Sequence, residues 1–284
     1  MNGFINCCKP TGMTSSDVVS KIKRLFKGVK TGHMGTLDPG AAGVLPIALG
    51  KATRLFDFLT DKKKLYRGRF TFGVTTDTLD SYGKVLEREG RIPTQEEIKK
   101  VLYELTGRIS QIPPAYSALS IGGVRAYDLA RKNVEIELPT REVDVFSFEL
   151  LRQTAEDTFE FDILCGGGTY IRSLARDLAL KCGTVGYMSS LIRLSSGVFD
   201  IKESFTLEEI EENPEKAVLP VETVLDGLYR YDVPEKMVSK VLNGVHIPIE
   251  KEIEGLFTVY TGEELIGLAE RREGKLYIKC FLME

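Results

Sequence analysis

The sequence predicts an α+β protein: a mixed, largely antiparallel sheet flanked by helices, followed by a small C-terminal β-barrel. Three observations predict it. Apolar positions change between period 2 and period 3.6 along the chain without the regular strand–helix beat of a doubly wound parallel sheet. No segment recurs at an interval of about 20–50 residues, so a solenoid or propeller is not indicated. Residues 229–284 read as short strands separated by glycine turns.

Taken in order, Gly3–Cys8 is an apolar run ending at the Pro10-Thr11-Gly12 turn and reads as a strand. Ser15 or Ser16 then caps a helix with Val18, Ile22, Leu25 and Phe26 on one face, closed by Gly28. Ala52, Leu55, Phe56 and Leu59 fall at helical spacing. Residues 65–74 alternate, with Tyr66, Gly68, Phe70, Phe72 and Val74 on one strand face and Arg67, Arg69 and Thr71 on the other. Thr94 and Glu97 form a capping box before a helix that buries Ile98, Val101, Leu102 and Leu105. Strands follow at residues 143–150 and 158–165. Gly166-Gly167-Gly168 ends the second, and a helix with Ile171, Leu174, Ala175 and Leu178 inward comes next. A strand covers residues 190–200, and a boundary is placed near residue 228, after an acidic stretch that ends in Pro220 and Gly227. The last strands are Phe257–Tyr260, Leu265–Ala269 and Leu276–Phe281, with turns at Gly262 and Gly274.

A chain of 284 residues with 43% hydrophobic content supports a real core and excludes global disorder. No apolar run approaches the roughly 20 residues that cross a bilayer, so no membrane is expected. The first ten residues lack the order of a signal peptide. The five cysteines (7, 8, 165, 182 and 280) contain no C-x-x-C pair, which fits reduced structural thiols in a cytoplasmic protein rather than a zinc site. Net charge is −3, yet residues 1–70 hold 13 Lys/Arg against 4 Asp/Glu, and no glutamate precedes Glu87. That asymmetry suggests a basic face for a polyanion on an acidic body; ordinary solvated helix faces are the other reading of the same lysines.

The densest chemical signal is the octapeptide 32–39, ending Leu37-Asp38-Pro39. Pro39 pushes Asp38 out of the helical region, so its carboxylate is presented from a constrained backbone. Alone, this is also the signature of a turn in which Asp38 bonds its own backbone. Six further landmarks accompany it: Lys9-Pro10-x-Gly12-Met13-Thr14-Ser15, Gly43-Val44-Leu45-Pro46, Lys64-Leu65-Tyr66, Thr76-Asp77-Thr78-Leu79-Asp80, Ile112-Pro113-Pro114-x-Tyr116-Ser117-Ala118-Leu119 and Gly168-Thr169-Tyr170-Ile171-Arg172. In this order they resemble the TruB-type tRNA pseudouridine-55 synthases, over roughly residues 1–226. The resemblance implies the pseudouridine synthase fold in residues 1–228, an RNA-clamping insertion at 113–142, and a PUA-like RNA-binding module at 229–284. The insertion contains Pro113-Pro114, Gly122-Gly123 and a short helix carrying Arg125, Arg131 and Lys132, and as sequence alone it is equally an ordinary surface excursion.

Isomerising uridine to pseudouridine breaks the glycosidic bond, turns the uracil and rejoins it through carbon 5, with no nucleotide, redox cofactor or metal. By resemblance Asp38 is the nucleophile. It must be ionised, and a guanidinium beside a carboxylate favours that form and orients it. Arg172 stands at the family's position for that partner, although a local pairing with Asp177 is the simpler helix reading. Tyr66 matches the tyrosine that stacks on the target uracil; on pattern alone, beside Phe70 and Phe72, it is a core residue. Tyr170 and Leu191 are implied to line the same pocket, and Asp80 to contact substrate unless it serves only an Asx-turn. His33 is implied to fill the space left when the base is turned out, a step that costs a few kcal/mol; general base and packed loop residue are its other readings. Lys9, Lys64 and Arg125 are expected among the substrate contacts. Lys21, Lys62, Lys63, Lys64, Arg67, Arg125 and Arg131 are expected to track phosphates.

Two departures from the family's usual pattern affect RNA contacts rather than chemistry. Gly40-Ala41-Ala42 replaces a bulkier run after Leu-Asp-Pro, and Ser120 stands where a lysine often follows. The expected partner is the T stem-loop of tRNA, recognised by shape and splayed bases without a guide RNA, by a monomer. A guide-RNA-dependent synthase with partner proteins and an RNA chaperone that has lost activity are the rival readings. An intact Asp38, Tyr66 and Arg172 set argues against the latter as sole role.

Overall fold

The computed structural model describes residues 1–59, 63–117, 119–121, 124–125 and 138–283, with backbone alone for Leu59, Ser120, Ile121, Val124 and Arg125. Strand β1 (Gly3–Lys9) leads through a turn into helix α1 (Ser15–Leu25). The N-cap of α1 is Thr14, one residue before the serines expected to cap it. Asp17 at N3 decides this, because its carboxylate accepts the Thr14 N–H at 2.9 Å while Thr14 Oγ1 accepts the Asp17 N–H at 3.1 Å. Strands β2 (Thr31–His33) and β3 (Ala41–Leu49) enclose the Asp38 loop. A 3-10 turn, Gly50–Leu55, and the one-turn helix α2 (Phe56–Leu59) follow.

Strand β4 (Lys64–Phe72) stops two residues short of its expected end, where Gly73 turns at φ +79° into the hairpin β5 (Val74–Thr76) and β6 (Val85–Arg88). Helix α3 (Gln95–Glu104) carries the capping box read from Thr94 and Glu97. Then come β7 (Gly107–Gln111), the short pair β8 (Ser120–Ile121) and β9 (Val124–Arg125), β10 (Arg141–Ala155), β11 (Thr158–Cys165) and helix α4 (Ile171–Lys181). Of the helix expected to carry Arg125, Arg131 and Lys132, the last two residues lie outside the described residues, while Arg125 belongs to strand β9 rather than a helix. Strand β12 (Gly186–Ser196) begins earlier than expected and breaks at Gly197 before β13 (Phe199–Asp200). Helix α5 (Leu207–Glu212) and β14 (Val218–Leu219) complete this part.

Apart from the separate pairs β5-β6 and β8-β9, these strands form one ten-stranded sheet in the order β14-β1-β3-β12-β4-β11-β10-β7, with β2 on β3 and β13 on β12. Only the β3–β12 pairing is parallel, so the sheet is mixed and largely antiparallel as expected. On one edge of β3, β12 pairs with Ala41–Gly43 and β2 with Ile47–Leu49. Between them a short length of that edge has no backbone partner strand. The near-continuous apolar runs of β1 and β3 follow from burial on both faces. Ile5, Cys7, Leu45 and Ile47 pack with Val18, Ile22 and the aromatic set Phe70, Phe72, Phe159 and Phe161, while Phe4, Val44 and Ala48 point into a second core.

That second core is closed by Leu268, Cys280 and Leu282 from the C-terminal part. There β15 (Tyr229–Asp232), helix α6 (Glu235–Leu242), β16 (Leu256–Thr261), β17 (Glu264–Arg272) and β18 (Lys275–Phe281) form a separate sheet in the order β15-β16-β17-β18. The expected barrel is corrected here: the sheet is open. β15 runs parallel to β16 and reaches it through α6, an element the strand-only reading missed, so β15 and β18 remain opposite edges. The β18 edge is covered instead, at its start by bonds from Ile249 N–H to Gly274 O and from Leu276 N–H to Ile247 O, both 2.8 Å, and at its end by Asn2, whose side-chain amide donates to Leu282 O at 2.9 Å. All five cysteines are free thiols, and all but Cys8 are buried.

Candidate active site

The loop 34–40 between β2 and β3 is held from three sides. Ser15 Oγ accepts the Leu37 N–H at 2.9 Å and donates to Leu37 O at 3.0 Å; Gly12 N–H donates to Pro39 O at 2.8 Å. Lys9 is fully buried and its ammonium donates to Pro10 O, Met13 O and Pro39 O at 2.8, 2.7 and 3.3 Å. The placement of Lys9 among substrate contacts is therefore corrected: three carbonyls and no solvent leave it no proton for a phosphate. The landmark that begins at Lys9 is a clamp on the two residues flanking Asp38.

Asp38 emerges from this clamp with its side chain about one-third exposed, against Arg172 at 7%. The pair is two-pronged, Nε to Oδ2 at 2.9 Å and Nη2 to Oδ1 at 3.2 Å. Two of the three remaining guanidinium hydrogens reach Thr78 O and Tyr116 O, each at 3.0 Å. Asp177 is taken by Arg176 instead, at 2.8 Å, so the local pairing read for Arg172 does not occur. The entry of α4 is fixed by Gln111, fully buried on β7, whose amide accepts the Tyr170 N–H at 2.8 Å and donates to Tyr170 O at 3.1 Å. Asp80 does two things. Its Oδ1 accepts from Thr78 Oγ1 at 2.6 Å and Tyr82 N–H at 3.0 Å, an Asx-turn, while Oδ2 lies 3.8 Å from Arg172 Nη1.

Asp38, Tyr66, Arg172, Tyr170, Leu191 and Lys64 line one cleft of about 310 Å³, which Gly166–Thr169 and Phe56 also border. Tyr66 is buried, and that burial pushes its hydroxyl above the ordinary tyrosine range, against the opposing pull of Arg193. Arg193 was not anticipated. It stands opposite Tyr66 across the β12–β4 pair, is 1% exposed, and donates to Val44 O at 2.6 Å and Gly35 O at 3.1 Å. Its guanidinium thus occupies the unpaired length of the β3 edge. One signal was available: an arginine two residues after Leu191 in an apolar strand shares the inward face.

The other expected residues scatter. His33 lies on β2 beside the loop, outside the cleft lining; burial, and then the charge of Arg193, lower its pKa. Arg67 is held by Asp162 through two bonds of 2.8 and 2.7 Å, and Lys21, half-exposed, lies 3.9 Å from Glu211. Lys63 sits over the exposed ring of Phe146 at 4.4 Å. The side chain of Arg125, and all of Lys62 and Arg131, lie outside the described residues.

A two-pronged carboxylate–guanidinium pair beside a buried tyrosine, in a cleft large enough for a nucleoside, suits attack on a planar heterocycle or its sugar. The model of the TruB family pseudouridylate synthase N-terminal domain matches residues 23–171. The chain belongs to the TruB family. The tRNA pseudouridylate synthase B C-terminal domain model continues over residues 172–226, so the junction of the two falls between Ile171 and Arg172. Asp38 and its arginine thus come from different halves of the TruB match. The tRNA pseudouridine synthase B of Clostridium perfringens (strain 13 / Type A) is 39% identical over 293 residues, spanning 100% of both chains. That of Caldanaerobacter subterraneus subsp. tengcongensis is 42% identical over 276 residues, covering 95% of this chain and 96% of its own. Among solved structures, a chain of a Cbf5-Nop10-Gar1 complex superposes with a TM-score of 0.71 at 27% identity, over 99% of this chain and 84% of that one.

Proposed function

We propose that this chain isomerises uridine 55 in the T loop of tRNA to pseudouridine, with Asp38 as nucleophile acting on a base turned out of the loop. The observation that carries the reading is the Asp38–Arg172 pair, two-pronged and opening on a cleft that Tyr66 also lines. In the reaction the N1–C1′ bond breaks, a C5–C1′ bond forms, N1 gains a proton and C5 loses one. A carboxylate held by a guanidinium keeps both oxygens aimed and charged for attack. The Tyr66 ring offers a flat apolar face to the uracil, and its hydroxyl, held protonated by burial, is a proton donor in reach of the cleft. His33, beside the nucleophile loop and favoured neutral, fills the gap the uridine leaves.

Relatives named tRNA pseudouridine synthase B, at 39–42% identity over nearly the full chain, support a tRNA substrate, and the reading takes the enzyme to need no guide RNA. The Cbf5 complexes are more distant in sequence. The 229–284 sheet is read as an abbreviated PUA-like RNA contact and the enzyme as a cytoplasmic monomer. The deciding test incubates purified protein with unmodified tRNA, without guide RNA or cofactor, and maps pseudouridine. Product at the T-loop uridine is the expected result; product elsewhere, or none, refutes the reading.

A further inference from the structure

We infer that the Ser117 hydroxyl is a hydrogen-bonding contact for the everted uracil, an assignment that rests on the function proposed above. Ser117 lines the cleft and is 4% exposed, yet its Oγ has no hydrogen-bond partner among the described residues. More than nine in ten buried polar groups in folded proteins are satisfied, and an exception calls for a missing partner. An alanine here would fill the space without stranding a hydroxyl, so the serine gives the free protein nothing. Two other hydroxyls near the nucleophile are committed: half-buried Thr169 donates to Gly166 O at 3.1 Å and buried Ser15 to Leu37 O at 3.0 Å.

The position of this hydroxyl is tied to the chemistry. Arg172 Nη2 reaches both Asp38 Oδ1, at 3.2 Å, and the carbonyl of Tyr116, at 3.0 Å, and Ser117 is the next residue. One guanidinium therefore sets the spacing between the carboxylate and the serine. A uracil edge carries two carbonyl acceptors and one N–H donor, and a hydroxyl rotates to meet either kind. Asp38 and Arg172 engage each other, and Tyr66 offers its ring. Among the described residues, Ser117 is a buried side chain on that wall with both hydrogen-bonding functions unused.

The test compares wild type, Ser117→Ala and Ser117→Cys in single-turnover reactions on a T stem-loop RNA whose target is uridine, 2-thiouridine or 4-thiouridine. Replacing a carbonyl oxygen with sulfur weakens the hydrogen bond it accepts, so the two changes form a cycle between a protein atom and a substrate atom. Ser117→Ala is expected to slow uridine conversion at least tenfold, with Kd for the RNA within twofold and a melting temperature equal to or above wild type. Ser117→Cys falls between. One thio substitution is expected to slow wild type while adding little to Ser117→Ala. Wild-type rates in Ser117→Ala, independent effects of both thio substitutions, or joint loss of melting temperature and RNA binding would each overturn the contact. A wild-type protein inactive on uridine would overturn the proposed function, and the contact with it.

Discussion

Arg193 and Tyr66 face each other in register on the antiparallel strands β12 and β4, and the buried guanidinium holds Val44 O and Gly35 O. One side chain thus sets a positive charge beside a cleft tyrosine and fixes the near end of the Asp38 loop. Arg193→Met keeps most of the bulk and removes every donor. It is expected to lower stability by about 2–4 kcal/mol, from carbonyls left unsatisfied in the interior, and the turnover rate by 100-fold or more. Urea unfolding and single-turnover kinetics on the same preparation check both; an unchanged rate would detach Arg193 from the site.

Asp38→Asn preserves shape and removes the charge. Turnover is expected to vanish while affinity for the T stem-loop stays within a few-fold, because phosphate contacts supply most of the binding. Filter binding and pseudouridine mapping on one protein sample separate the two. Retained isomerisation would remove Asp38 from its role.

Arg172→Lys keeps a positive charge but loses the fork. The guanidinium makes four bonds, to both Asp38 oxygens, Thr78 O and Tyr116 O, and an ammonium cannot reproduce that planar set. A fall in kcat of about 100-fold is expected, with RNA affinity little changed. Activity near wild type would mean that charge alone suffices.

Lys9→Met tests the clamp. Three backbone carbonyls lose their charged donor, one of them on Pro39 beside the nucleophile. Destabilisation of about 2 kcal/mol is expected, with a lower kcat and unchanged salt dependence of RNA binding. A shallower salt slope would show that Lys9 meets a phosphate after all.

The pH dependence of stability carries a signature of His33. Its pKa in the folded protein lies below the ordinary 6.5, through burial first and Arg193 second. The unfolded chain therefore binds the proton more readily. The stabilisation from keeping this ring neutral is complete above pH 6.5 and is lost as pH falls through the folded pKa. His33→Gln should flatten the fall in urea midpoint between about pH 7 and pH 5 relative to wild type; parallel curves would contradict the burial argument.

Local rules were readable where local physics decides. The Thr94–Glu97 box, the alternation of β4 and the inward face of α4 follow from spacing within a few residues, and the structure contains all three. The Thr14 cap was missed by one residue although Asp17 stood in the required place. The C-terminal barrel failed because closure depends on strand direction. A parallel β15 reached through α6 leaves two edges, and no alternation pattern records which way a strand runs.

By itself the sequence determined the mixed α+β class, the reduced thiols, and the family-ordered landmarks that singled out Asp38, Tyr66 and Arg172. Only the tertiary structure decided what those residues touch. Asp38 and Arg172 lie 134 positions apart, and Arg193 meets Val44 across 149. Such contacts are settled by how strands order themselves in a sheet and which faces become buried. That ordering turned Lys9 from a substrate contact into a clamp and brought Arg193 into the site. It also left the Ser117 hydroxyl in the cleft without a hydrogen-bond partner among the described residues.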